Sequence, residues 1–204
     1  MSKMKWKAEQ TRNPLWLQEE LWNASLDVFS MQAYGEASLN EIIRKAGMNK
    51  GSFYYRFYDK LDLYLSLLTR MADEKLTMVS QGQMRATGKD FFEDFRQIAM
   101  LSLRFAQQEP RYMGLWRRFM SEDHEIKRMV HEEFGPMSQD AIGAMVEMAK
   151  AQGKIRPNSS TVLVSHMISA LLNSIDQMIV PNGSEEEMMV QIDELIEMLK
   201  HGIR

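Results

Sequence analysis

Residues 49–60, NKGSFYYRFYDK, gather side chains that suit a polyanionic partner. The N-terminus of a helix offers unpaired backbone N–H groups and a positive dipole end, and both favour a phosphate. Asn49, Lys50, Gly51 and Ser52 would form such a first turn. Gly51 lets the backbone approach closely, and Lys50 can reach a phosphate or the O6/N7 edge of guanine. Tyr54 and Tyr55 offer hydroxyl donors to phosphate and ring faces to thymine methyls. Arg56 and Lys60 are placed to clamp the flanking nucleic-acid backbone. A second assignment stays open for Tyr54, packing on its own core, and for Lys50 and Lys60, which could be solvated surface charges.

These residues need a rigid platform, and the preceding stretch supplies one. Leu39, Ile42, Ile43 and Ala46 recur at helical spacing behind Ser38, a suitable N-cap. Gly47 can stop that helix in the left-handed conformation. Asn49 then restarts one, with Phe53 and Phe57 on its inner face at i, i+4. Two short helices around a glycine turn make a helix-turn-helix, whose second helix enters the DNA major groove.

The segment resembles the TetR-type transcriptional repressors. Leu21 to Phe29, followed by Tyr34, is similar to the family's first helix. Ser38 falls on the capping hydroxyl of its second, and Ala46-Gly47-Met48 on its turn. Asn49 to Phe57 resembles the recognition segment, usually close to Ser-Lys-Gly-Thr-Leu-Tyr-x-His-Phe, and Asp59-Lys60 with Leu63 the start of the fourth helix. Three positions depart from the pattern. Ala33 stands for a glycine, Ile43 for a small alanine, and Arg56 for a common histidine, adding a permanent charge. The motifs cover roughly residues 17–64.

The resemblance implies an all-α homodimer, with a helix-turn-helix domain over residues 1–60 and a helical effector-binding and dimerising domain over 61–204. It implies a palindromic duplex operator as partner, contacted by Ser38, Asn49, Lys50, Gly51, Ser52, Tyr54, Tyr55, Arg56 and Lys60. A small organic effector, apolar or amphipathic, would release it. A helical ligand- or partner-binding protein with a non-functional head is the alternative.

The composition is compatible with this. At 204 residues the chain can hold one large or two small domains, and 45% apolar with 26% charged residues is ordinary for a globular protein. Without cysteine it can form neither disulfides nor thiolate metal sites. No apolar run spans a bilayer, and the charged N-terminus does not read as a secretory signal, so a soluble cytoplasmic protein is expected. Residues 1–60 carry nine Lys and Arg against seven Asp and Glu, leaving sixteen against twenty-one for the acidic rest. Lys3, Lys5, Lys7 and Arg12 read either as a basic arm for DNA or as a solvated, partly disordered tail.

Helix signals run nearly end to end, without sustained period-2 alternation. The expected helices span about 14–33, the two of the motif, 59–80 with breaks at Gly82 and Gly88, 90–108, 110–120 and 121–134. Others start at Gly135-Pro136 and end at Gly153, run from Ser159 or Ser160 to about 180, and begin at Ser184 after a Pro181-Asn182-Gly183 turn. Ser184 with Glu187 has capping-box spacing. On the last two helices Ile168, Leu171 and Ile175, and Ile192, Leu195 and Leu199, repeat at steps of three and four. Such stripes pack on their own domain by default; the family resemblance implies a four-helix bundle between subunits instead. The middle helices are rich in methionine and aromatics, either core or an adaptable ligand surface. The resemblance puts a cavity there, for which Met71, Phe95, Met100, Met113, Trp116, Met120 and Met145 are candidates. The four histidines are too scattered for a metal site, and no nucleophile elbow, P-loop or HExxH occurs. Neither cofactor nor enzymatic activity is expected.

Overall fold

The computed structural model describes residues 2–83, 90–134, 139–179 and 183–203. Among them every regular element is helical: α1 (Lys5–Ala8), a 3₁₀ turn (Pro14–Leu17), α2 (Glu19–Phe29), α3 (Leu39–Lys45), α4 (Lys50–Arg56), α5 (Lys60–Gln83), α6 (Phe91–Gln108), α7 (Pro110–Ser121), α8 (His124–Phe134), α9 (Gln139–Ala151), α10 (Thr161–Met178) and α11 (Glu185–Ile203). The all-α class is as the sequence implies. Gly88, Gly135-Pro136 and Pro181-Asn182 lie outside the described residues, and α5 continues through the expected break at Gly82.

Local polar groups start most of these helices. Asp59, Asp90, Asp123 and Ser160 each accept from a first-turn amide, and Ser184 and Glu187 bond reciprocally as a capping box at 2.7 and 3.2 Å. The helix expected over 14–33 is divided. Asn13 caps Leu15 N–H at 3.0 Å, but only a 3₁₀ turn follows, and Gln18 leaves helical geometry before α2 begins. The Leu15 carbonyl accepts Arg70 Nη1 at 2.6 Å, so that acceptor is already engaged where an α-helix would need it.

The chain forms two compact units, Met1–Glu74 with Glu109–Gly135, and Lys75–Gln108 with Pro136–Arg204. This is a different cut from the functional division expected at residue 60, because α7 and α8 belong with the first unit. In that unit Leu21, Leu26, Phe29, Ile42, Phe53, Phe57, Leu63 and Tyr64 are fully buried. Phe29 and Tyr64 rings meet at 4.9 Å, and the Trp22 edge meets Tyr112 of α7 at 5.9 Å. Helix α7 crosses α2 closely: a Cβ on Gly114 would lie 2.9 Å from the Ser30 carbonyl oxygen.

The second unit is built on α6, which packs on α10 and α11, with α9 against α10. Its core holds Phe91, Phe92, Phe95, Ala99 and Leu103 with Val146, Val164, Ile168, Ile175, Ile192, Ile196 and Leu199. The stripe that the family resemblance implies between subunits is therefore largely spent within one chain. Ile168, Ile175, Ile192 and Leu199 are buried, while Leu171 and Leu195 are half-buried against the same cluster. All four Trp and all six Tyr fall in the first unit; Phe is the second unit's only aromatic type.

Candidate nucleic-acid interface

The turn before α4 follows from three residues. Ser38 Oγ accepts the Glu41 amide at 3.4 Å and starts α3; Gly47 ends it at φ +61°. Asn49 Oδ1 accepts the Ser52 amide at 2.8 Å and starts α4. Gly51 serves that cap, since a Cβ there would lie 3.3 Å from Asn49 Oδ1. Phe53 and Phe57, stacked at 5.3 Å and fully buried, fix the inner face of α4.

The outer face is open. Asn49, Lys50 and Gly51 are exposed and Ser52 is half-buried. Tyr55 is 77% exposed, and Tyr54 is 50% exposed although its ring touches the Phe53 edge at 5.2 Å. The structure thus brings Ser38 and Asn49 to Tyr55 together around one short turn, with the first turn of α4 free to meet an anion.

Two expected clamps have other duties. Lys60 Nζ donates to the Tyr34 and Ala37 carbonyls at 2.7 and 3.0 Å and sits 4.5 Å from the Tyr34 ring centroid. Burial lowers its pKa, and the nearby Glu122 carboxylate opposes that shift. Lys60 is thus committed to closing the loop after α2, because carbonyls there lack helical partners. Arg56 folds back, with Nη1 on the Ser52 carbonyl at 2.8 Å and its guanidinium 5.7 Å from the Tyr55 ring centroid.

The N-terminal segment is neither a free arm nor a tail. Met4 is fully buried, and Trp6 Nε1 donates to Ser66 Oγ at 2.9 Å. Lys5 Nζ donates to the Tyr54 and Tyr55 carbonyls at 3.1 and 2.8 Å. Asp62, fully buried, accepts the Lys5 amide at 3.1 Å, the Tyr58 amide at 2.8 Å and the Ser66 hydroxyl at 3.3 Å. Burial raises its pKa, and those bonds partly offset the shift. Sequence reasoning named Lys5 only as part of a basic arm or tail and missed Asp62, because their partners are far away or lie in a segment without periodicity.

The effector candidates separate. Met71, Met113, Trp116 and Met120 belong to the first unit, and Phe95, Met100 and Met145 to the second. Phe95 and Met71 are buried and Met120 is half exposed. Tyr112, one turn before Trp116 on α7, is committed to the first unit's core, with its hydroxyl on Glu74. Two surface hollows, of about 470 Å³ beside Ser30 and Gly114 and about 380 Å³ beside Arg96 and Asp193, are lined by none of the seven. Among the described residues no cluster of His, Asp or Glu is placed to hold a metal ion, and no helix is long and apolar enough to cross a membrane.

Comparison with known proteins agrees with this geometry. Residues 21–67 match the family described as bacterial regulatory proteins, tetR family. The HTH-type transcriptional regulator SrpR of Pseudomonas putida is 36% identical over 61 residues, 30% of this chain and 26% of that protein. The matches span 26–38% of the curated relatives' own length. The fold extends further. A TetR family transcriptional regulator from Chloroflexus aurantiacus superposes at a TM-score of 0.70 with 22% identity, covering 91% of this chain and 92% of that one. The regulator FadR of Bacillus subtilis, solved in complex with stearoyl-CoA, also scores 0.70, at 15% identity over 91% of this chain and 99% of its own. Over residues 21–67, the chain is thus similar to the tetR family of bacterial regulatory proteins.

Proposed function

We propose that the protein is a transcriptional regulator, read as a repressor, that binds a palindromic duplex operator as a homodimer and is released by an organic effector. The observation that carries this is the outer face of α4: an exposed, self-capped first turn with Lys50 and two exposed tyrosines on a rigid aromatic inner face. Two such helices must meet half-sites roughly 34–36 Å apart, which a two-fold dimer provides. Since much of the α10–α11 stripe is internal, the surface for a second copy lies on other faces. Exposed Leu163 and Met178 on α10 and Val190 and Met198 on α11, flanked by half-buried Leu171 and Leu195, supply its apolar groups. The effector is assigned to the apolar or amphipathic class from the methionine and phenylalanine content of the helices after α5; stearoyl-CoA, held by FadR, belongs to the amphipathic class.

The test is selection of duplexes from a random pool, followed by titration in salt. A regulator recovers one palindrome, and Lys50→Ala weakens binding to every duplex while reducing the salt slope by about one unit. Failure to select any sequence would favour a helical ligand- or partner-binding protein. Leu163→Glu with Met198→Glu is expected to give a folded monomer in sedimentation; a wild-type monomer at micromolar concentration would remove the dimer.

A further inference from the structure

The two ends of α4 are held from different places. Its N-terminal end is capped from within by Asn49. At its C-terminal end Ser52 and Phe53 carbonyls accept from Arg56 and the Phe57 amide, both local. The next two, Tyr54 and Tyr55, accept from Lys5, 49 and 50 residues away. A seven-residue helix is too short to hold itself in water, so the groups on its last carbonyls decide whether its final turn persists and where it points. A cation there also meets the negative end of the helix dipole. The Lys5 ammonium lies 5.9 and 5.8 Å from the Tyr55 and Tyr58 ring centroids, so it contacts the outer face as well as the end.

Lys5 is in turn held between two anchors. Its amide bonds the buried Asp62 carboxylate, which also accepts the Tyr58 amide, two residues beyond α4. On its other side the segment is clamped to the end of α8. Ser2 Oγ and the Lys3 amide donate to Glu133 at 2.7 and 3.0 Å, Lys3 Nζ meets Glu132 at 3.0 Å, and Lys7 Nζ meets Glu133 at 3.6 Å. All of these residues lie in one compact unit.

We propose that Lys5 is a positioning residue of the DNA-facing helix, and that residues 2–8 form a strap through which the end of α8 sets the placement of α4. The inference rests on α4 being the DNA-facing helix, yet the strap itself needs no DNA. Displacing Glu132 and Glu133 would pull on residues 2–7, and hence on the carbonyls of Tyr54 and Tyr55, without any rearrangement of the α3–α4 turn. The ammonium is spent on carbonyls, so Lys5 orders the face rather than neutralising phosphate.

Amide hydrogen exchange on the full chain tests the strap directly. Lys5→Met keeps the alkyl stem and removes the donors; it should accelerate exchange over 53–58 severalfold and leave α2 unchanged, and Lys5→Arg should restore protection. The double variant Glu132→Gln, Glu133→Gln, isosteric and distant from α4, should move 53–58 in the same direction. With the duplex selected by the wild type and a random duplex as probes, Lys5→Met should lose about tenfold in discrimination at an unchanged salt slope. No change over 53–58 in the Glu variant overturns the strap. An equal loss on both duplexes with a slope reduced by about one makes Lys5 a phosphate contact and overturns its positioning role. Failure of the wild type to select any duplex would overturn the regulatory reading alone, since the exchange experiment still decides the strap.

Discussion

Both compact units have an apolar core, and they differ in the polar contacts that accompany it. In the first, polar side chains reach across the sequence to main-chain carbonyls: buried Asn13 to Ser66 and Arg70 to Leu15, half-buried Lys60 to Tyr34 and Ala37, and Lys5 to Tyr54 and Tyr55. In the second, apolar stripes from α6, α9, α10 and α11 interleave, and several ion pairs, such as Arg96–Asp193 and Lys154–Asp90, lie towards solvent. Hydrogen bonds to a carbonyl are directional, so they fix angles between helices. Apolar contacts mainly fix volume and tolerate repacking, more so where methionine is present. A surface that must present side chains to base edges needs the first kind of order. A unit that must adapt to a ligand is better served by the second.

That contrast can be broken from either side. Phe95→Ala removes a fully buried ring from the second unit and should cost about 3–5 kcal/mol there. Local amide exchange should show the loss in the second unit first, and an equal loss throughout would deny the units separate stability. Arg70→Met keeps volume but removes one donor each from the Leu15 carbonyl and the Glu19 and Glu74 carboxylates, with a guanidinium lost from the Trp22 face at 4.0 Å. It should destabilise the first unit by about 2–4 kcal/mol in urea unfolding. A cost under 0.5 kcal/mol would mean that apolar packing holds both halves.

A smaller effect is expected at the crossing of α2 and α7. Gly114→Ala forces a methyl onto the Ser30 carbonyl and should cost about 1–3 kcal/mol, unless the two helices can part. Stability unchanged, with exchange unchanged in α2, would show that this crossing is loose.

The smallest expected effect is in pH dependence, and it separates two carboxylates within the first unit. The Arg111 guanidinium holds the Glu109 carboxyl below its ordinary value of 4.5, against the effect of burial. Stability from this pair is present above that value and is lost as pH falls through the lower folded-state value. Asp62 runs the opposite way, because burial raises its pKa: its favourable contribution is fullest in acid and is lost as pH rises through its folded-state value. Unfolding midpoints measured against pH should therefore lose part of their acid limb in Glu109→Gln. Identical profiles for the variant and the wild type would leave the Glu109–Arg111 pair without weight.

Much of the outer face of α4 was legible because its determinants are local. Ser38, Gly47, Asn49 and the Phe53–Phe57 pair act within four residues of what they control, and so do Ser184 and Glu187 at α11. Long-range partners were not legible. Nothing near Lys5 indicates that it closes a helix fifty residues later, and nothing near Asn13 reveals that Arg70 will cut its helix short. The α10–α11 stripe was visible as apolar spacing, but spacing does not say which chain covers it, and Ile168, Ile175 and Ile192 are covered by their own. Composition could nominate Met71 and Phe95 as cavity walls, but it could not tell that they fall in different compact units.

The uneven distribution of aromatic residues makes the molecule its own optical probe. Near-ultraviolet absorbance and emission arise almost wholly from Trp6, Trp16, Trp22, Trp116 and six tyrosines, all in the first unit, while the phenylalanines of the second are nearly dark. A ligand that settled wholly within the second unit would quench nothing there directly. Any tryptophan signal following such binding would then report transmission rather than occupancy, whereas calorimetry would report occupancy alone. The concentration gap between those two curves, measured on one unlabelled sample, would show how tightly the halves are coupled.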